Sequence, residues 1–362
     1  MLLLKAKISN NTASIDHIIL KSVSNPSSVH GIYPYRGKIS AKDAISVIAQ
    51  LSPNRTLLDP FCGTGTILYE AQKFGMDVIG VDPNPLANIV SKGKMSLQGL
   101  DKEKTLDEVE SIIKKAKSLK KVKKLPVDAE KGFHSDTADQ IMRVKEFYNE
   151  MSDYLKSIFC GSICISARGC NNYIWTSTTV GKNTYPKRFI NFYEKFTSKA
   201  KKHFYKLENK NKCTVYSRDA RTLSKFIKPN SVDYVFTSPP YFDGLDYTAY
   251  YAKFVYPILE IDRISVKKNL IQSLKTYEID MQKCLNEIVK ITKNDALIIF
   301  VVGDKKIKNQ TISGGDFFSE LLHHKPNQII ERQYSGSASQ VFDKINKTNR
   351  KEQIVVWDKS TW

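Results

Sequence analysis

The chain has 362 residues, with 56 Lys+Arg against 37 Asp+Glu and a formal net charge of +19. Its 41% hydrophobic and 26% charged residues are ordinary globular usage, which excludes a disordered or collagen-like chain. No apolar run approaches the roughly 20 residues needed to cross a bilayer, and Met1-Leu2-Leu3-Leu4-Lys5 is too short for a signal-peptide core. The expectation is therefore a cytoplasmic protein with no membrane partner. The six cysteines (Cys62, Cys160, Cys164, Cys170, Cys213 and Cys284) are scattered and form no disulfide framework. The positive surplus suits a polyanion, with nucleic acid ahead of an anionic membrane.

Residues 1–28 are polar and weakly patterned. Residues 41–51 have helical periodicity, and residues 56–58 (TLL) are a short strand. Asp59, Pro60, Phe61, Cys62, Gly63, Thr64, Gly65 and Thr66 follow at once. Residues 67–75 (ILYEAQKFG) then read as a helix closed by Gly75, and residues 77–82 (DVIGVD) as a second strand ending in an acid. Strand, glycine loop, helix, strand and acid in this order begin a doubly wound α/β sheet.

From about residue 95 to 204 the chain reads as helical and basic, with 21 basic against 13 acidic residues. Segments 101–124, 141–159 and 187–206 are the helical candidates, and seven lysines fall between Lys114 and Lys124. Those lysines suit phosphate contacts or a solvated helix face, and the sequence leaves both open. Residues 171–176 (NNYIWT) mix amides and aromatics suited to base edges or to a packed loop. Cys160, Cys164 and Cys170 lack zinc-ligand spacing and read as core thiols, so no metal is expected.

Alternation resumes with strands at 213–216 and 231–236, a helix at 278–293, a strong strand at 296–302 and a last strand at 353–357. His323 and His324 read as a solvated helix end. The expected fold is a Rossmann-like, mostly parallel seven-stranded sheet with a basic, mainly helical insertion.

Ligands of such sheets bind beyond the carboxyl ends of the strands. Asp59, Asp82 (followed by Pro83) and Asp219 (followed by Ala220) stand at such ends, and Gly63 and Gly65 let backbone approach a ligand. Asp82 is placed for ribose hydroxyls and Asp219 for an adenine amino group. The loop lacks a phosphate-clamping Lys-Ser/Thr and does not spell G-x-G-x-x-G, which favours a nucleoside cofactor without pyrophosphate. Thr237-Ser238-Pro239-Pro240-Tyr241 follows a later strand. Its two prolines remove donors and fix φ, so rigid carbonyls stand beside an aromatic ring.

The pair DPFCGTGT and TSPPY resembles the class I S-adenosylmethionine-dependent DNA amino-methyltransferases, over roughly residues 29–94 and 205–362. The resemblance implies S-adenosylmethionine as cofactor. Residues 59–66 would lie against its methionine part, with Asp82 at the ribose and Asp219 near the adenine. Residues 30–38 (HGIYPYRGK), with Tyr33, are similar to a segment flanking the cofactor in some members. Ser238, Pro239, Pro240 and Tyr241 would hold the target amino group, with Tyr241 stacked on a flipped base and Phe242, Asp243, Asp246 and Tyr247 nearby. Serine at the head of the motif is more similar to the N4-cytosine members than to the N6-adenine ones.

The implied domains are an extension at 1–28, a catalytic domain at 29–94 and 205–362, and an insertion at 95–204 that could recognise the target. That insertion splits the cofactor block, a departure from the usual order of the family. Implied partners are double-stranded DNA and, in a restriction-modification setting, a cognate nuclease at the prokaryotic nucleoid. The oligomeric state is left open. Two rival readings are a tRNA guanosine-N2 methyltransferase and a catalytically silent nucleic-acid-binding protein on the same fold. The former usually carries an N-terminal RNA-binding domain, for which the residues before position 29 are too few; the intact TSPPY opposes the latter.

Overall fold

The computed structural model describes residues 17–35, 39–167, 188–241, 246–249, 252–307, 310–333 and 351–362. Within them the chain alternates as expected at its start. Helix α1 (Ala41–Ile48) precedes strand β1 (Thr56–Asp59), helix α2 (Thr66–Lys73) and strand β2 (Asp77–Val81). Gly75 takes φ +95°, a left-handed value that favours glycine, and turns the chain from α2 into β2.

Helix α3 (Pro85–Met95) follows directly. Pro85 occupies its first turn, where no amide is needed, and Asn84 caps it by accepting from Leu86 N at 3.0 Å. The basic stretch then forms α4 (Lys102–Ser118), α5 (Val127–Glu130), α6 (Ser135–Lys145), α7 (Asp153–Ser166) and α8 (Phe192–His203). The helix expected over 141–159 is in fact two. Ser152 restarts the chain by accepting from Leu155 N, so α7 begins with its own cap. The helix expected over 101–124 stops at Ser118, where Leu119 turns extended.

Strands β3 (Cys213–Tyr216) and β4 (Val232–Thr237) resume the sheet. Helices α9 (Ala252–Ile258), α10 (Arg263–Asn269) and α11 (Tyr277–Ile291) lead to β5 (Thr292–Gly303). A small hairpin, β6 (Lys305–Ile307) with β7 (Gln310–Ile312), is followed by α12 (Gly314–Leu322), β8 (Gln328–Gln333) and β9 (Lys351–Asp358). The seven-stranded sheet runs β3-β2-β1-β4-β5-β9-β8. Its first five strands are parallel, while β9 is antiparallel to both β5 and β8. Strand order reverses between β1 and β4, so the C-terminal ends of these two strands flank the natural ligand crevice.

Successive strand residues face opposite sides, and both sides are covered. Leu57 joins a core that also holds α1, α2, α3 and much of α4 to α8, including Val109, Ile141, Phe159 and Phe196. Leu58 joins a second core with Met281, Leu285 and Ile288 of α11, Phe318 of α12 and Trp357 of β9. The basic helices thus share one core with the sheet. On α4 only Thr105, Val109, Ile112 and Ala116 are buried, a stripe at helical spacing with lysines on the outer face. No helix among the described residues is long and apolar enough to cross a membrane.

Candidate active site

A cleft of about 790 Å³, open mouth included, lies beyond the C-terminal ends of β1, β2, β3 and β4. Asp59, Phe61, Cys62, Gly63, Thr64 and Thr66 line it from the glycine loop, and Asp82, Pro83, Asp219 and Ala220 from the ends of β2 and β3. Ser238 and Pro240 line it from the TSPPY segment. The two motifs, some 180 residues apart in sequence, therefore meet in one cleft.

The loop is shaped by its backbone. Gly63 and Gly65 take φ +48° and +68°. A Cβ on Gly65 would lie 2.9 Å from the Ser91 side chain of α3, so the helix can pack only on a glycine there. Gly63 N donates to Asp82 Oδ2 at 2.9 Å, and Asn84 N donates to Asp82 Oδ1 at 2.8 Å. Asp82 is buried, and that burial pushes its carboxyl up to about 6. Asp59 is buried too, and loss of water pushes its carboxyl up to about 7, opposed by hydrogen bonds from Thr237 and Phe61 and assisted by the Asp82 charge. The Thr237 hydroxyl donates to Asp59 Oδ1 at 2.6 Å, which ties β4 to the glycine loop immediately ahead of Ser238.

The TSPPY segment is held at further points. Tyr277 Oη donates to the Pro240 carbonyl at 2.6 Å, and Tyr241 N donates to Tyr247 Oη at 3.3 Å. Tyr241 Oη donates to Glu352 Oε1 of β9 at 2.8 Å. Pro239 and Tyr241 do not line the cleft, nor do Pro60 and Gly65, which shape the loop from behind. Tyr33 is buried behind Tyr35, their ring centroids 6.4 Å apart, and it is Tyr35 that forms the wall. Asn84 Nδ2 donates to Tyr35 Oη, and the Tyr35 ring lies nearly parallel to Tyr247 with centroids 6.3 Å apart.

Asp219 lines the cleft with its carboxylate already engaged. It caps residues 220–225 by accepting from Arg221 N, and it pairs with the Arg221 guanidinium, which also reaches Asp280 and the Asn269 carbonyl. That arginine holds the Asn269 carbonyl, and Asn269, Leu270 and Ile271 form a further stretch of the wall that sequence patterning does not reveal. Asp246 is partly buried, which raises its carboxyl, but Lys267 and Thr248 outweigh this and pull it down to about 2, and Arg263 also donates to it. Phe242, Asp243, residues 36–38, Cys170 and residues 171–176 lie outside the described residues. Cys160 and Cys164 are buried thiols of α7, and His323 is the exposed left-handed cap of α12. No group of acids, histidines and cysteines among the described residues could hold a metal ion.

Comparison with known proteins adds to this geometry. The family model described as RMKL-like, methyltransferase domain matches residues 35–125, from the Tyr35 wall through Asp82 and α4. The likeness is to methyltransferases. Type II methyltransferase M.MvaI of Kocuria varians is 27% identical over 235 residues, covering 58% of this chain and 52% of that protein. Type II methyltransferase M.MjaII of Methanocaldococcus jannaschii is 29% identical over 79 residues, covering 22% of this chain and 15% of that protein. The chain thus spans about half or less of the length of these relatives. The rRNA methyltransferase aviRa from Streptomyces viridochromogenes superposes with a TM-score of 0.37 at 11% identity, covering 91% of this chain and 90% of that one.

The cofactor implied by the matched domain is S-adenosylmethionine, and the cleft fits it. The buried hydroxyl oxygens of Thr64 and Thr66 line the cleft with no hydrogen-bond partner among the described residues. The buried carboxyl groups of Asp59 and Asp82 would suit a ligand that carries positive charge and ribose hydroxyls, while Phe61, Pro83, Ala220 and Ile271 offer apolar surface that would suit its purine.

Proposed function

We propose that this protein transfers a methyl group from S-adenosylmethionine to an exocyclic amino group of a base in DNA, with N4 of cytosine favoured over N6 of adenine. The observation that carries the reading is the Thr237–Asp59 hydrogen bond, which sets Ser238 and Pro240 on the wall of the cleft that holds Asp82 and the glycine loop. The Type II methyltransferases it is similar to support DNA as the substrate.

When bound, the cofactor supplies an electrophilic methyl group on a sulfonium. The chain's own part is to hold it and to prepare the nucleophile. Asp82 would accept from the ribose, Gly63 and Thr64 would hold the amino-acid end, and Asp219 would stand toward the adenine. An exocyclic amino nitrogen is a poor nucleophile because its lone pair is shared with the ring. The Ser238 hydroxyl on the cleft wall accepts from one of its hydrogens and favours a pyramidal nitrogen with a localised pair. With the cofactor bound, this nitrogen would take up the methyl group in place of one of its protons, which passes to solvent. Fixed dipoles and proximity supply the catalysis. A base stacked in a duplex cannot reach this cleft, so the substrate base is flipped out. Tyr241 supports Ser238 from outside the cleft wall, and the 95–204 helices recognise the target sequence.

Expression in a methylation-free host, followed by long-read sequencing of modified bases, tests the reading. Modification of cytosine N4 or adenine N6 at one recurring sequence is expected. Genomic DNA without modification, together with methylated guanosine N2 in tRNA, would replace it with the RNA reading.

A further inference from the structure

We propose that Glu352 is a positioning residue for this transfer, which sets the direction of a hydrogen-bond chain and so makes the Ser238 hydroxyl an acceptor toward the cleft. The inference rests on the amino-methylation reading and deepens it.

Glu352 is far from the motif in sequence but not in space. It lies on β9 opposite Gly303, the last residue of β5, at the same end of the sheet as residues 238–241. It is 4% exposed and accepts from Tyr241 Oη at 2.8 Å, while Ser238 Oγ donates to Tyr241 Oη at 3.4 Å. The polarity of the chain follows from the inventory of donors. A carboxylate accepts only, so Tyr241 commits its single hydrogen to Glu352. Burial pushes the Tyr241 phenol well above its ordinary range, and the Glu352 charge pushes it further, so that hydrogen stays on the ring oxygen. Only lone pairs then remain on Tyr241 Oη to meet Ser238, which turns its own hydrogen inward. The lone pairs of Ser238 are left facing the cleft that it lines.

A serine by itself rotates freely between donating and accepting. An aspartate at that position would be an acceptor without help. The amino group to be methylated offers hydrogens and needs an acceptor, so Glu352 lends Ser238, through Tyr241, the bias that a hydroxyl lacks. The backbone of the segment is fixed independently by Thr237–Asp59 and Tyr277–Pro240, so the effect of the relay on transfer falls on hydroxyl orientation. The 3.4 Å link is long for two hydroxyls, as catalytic hydrogen bonds often are before substrate binds.

The test is steady-state methyl transfer by wild type, E352Q, Y241F and E352Q/Y241F, with cofactor affinity measured by calorimetry. Glutamine is nearly isosteric but carries a donor as well as an acceptor, so the chain loses its direction. E352Q should lower kcat about tenfold or more, with KM for nucleic acid and the cofactor Kd within about twofold of wild type. Y241F keeps the ring and should lose a similar factor, and the double variant should be no slower than Y241F alone. An E352Q kcat within twofold of wild type, or a loss confined to KM or cofactor affinity, overturns the relay. So does a double variant that multiplies the two losses. Wild type that methylates RNA in place of DNA overturns the substrate reading while the same four proteins still measure the relay. No transfer by wild type to any nucleic acid overturns both.

Discussion

Asp59 and Asp82 sit where water is scarce, and this has a measurable consequence. Folding raises both carboxyls, to about 7 and about 6. The native state therefore binds more protons than the unfolded chain between about pH 4 and 7. Their contribution to stability is fully present below about pH 4 and is lost as pH rises through 6 and 7. His203, lowered to about 4 by burial and Lys199, acts in the opposite sense between about 4 and 6.5. A variant separates them: D59N keeps acceptors for Thr237 and Phe61 but cannot ionise. Thermal unfolding without cofactor should show D59N more stable than wild type at pH 8, with the gap closing toward pH 4. A gap independent of pH would remove the account of Asp59. Tyr241 gives the second residue-level expectation. Y241A removes both the ring and the link to Glu352, so methyl transfer should fall by about a hundredfold or more. Cofactor affinity should stay within about twofold, since Tyr241 does not line the cleft.

The helices following β2 are integral to the fold. Gly93 of α3 meets Ser157 of α7, where a Cβ would come 2.4 Å from the serine side chain and 2.8 Å from the Asp153 carbonyl. Gly161 of α7 meets the Ile32 carbonyl, which a Cβ would approach to 2.0 Å. G93A and G161A should each cost about 1–3 kcal/mol or more of stability by overpacking, read as a lower midpoint in urea; an unchanged midpoint would refute the close helix contact. At this scale the sequence was partly legible. Strand β1, its glycine loop, α2 and β2 could be read because hydrophobic period, glycines and terminal acid agree over 27 residues, from Thr56 to Asp82. The break between α6 and α7 was hidden because apolar residues keep their spacing across it, and only the Ser152 cap marks it. Strand β8 was hidden because its residues, QIIERQ, are mostly polar at the edge of the sheet. The cleft was legible where a motif carries it, at Asp59, Gly63, Asp82 and Ser238. Its walls at Tyr35 and residues 269–271, and the Glu352 contact, depend on which loops and strands the topology brings to one end of the sheet.

Across the whole molecule, the net charge of +19 is shared between the helical stretch and the rest of the chain. The lysines from Lys114 to Lys124 are exposed on α4 and the segment after it, and Lys123 reaches Glu260 beyond the end of α9. If this face contacts phosphates, reversing Lys120, Lys121, Lys123 and Lys124 to glutamate should weaken binding by about tenfold or more at low salt and flatten its salt dependence. Equal salt slopes for variant and wild type would assign the run to solvation. Because α4 to α8 share a core with the sheet, excising 95–204 should leave an unfolded chain rather than an active one of altered specificity. The central claim remains the transfer of a methyl group to a base amino group in DNA. Its most direct test supplies methyl-labelled S-adenosylmethionine and purified wild-type protein to duplex DNA and, separately, to tRNA, and identifies the labelled nucleoside by mass spectrometry. The account predicts label on N4 of deoxycytidine, or N6 of deoxyadenosine, from duplex DNA. Label found only in tRNA, or on a ring carbon of the base, would contradict it.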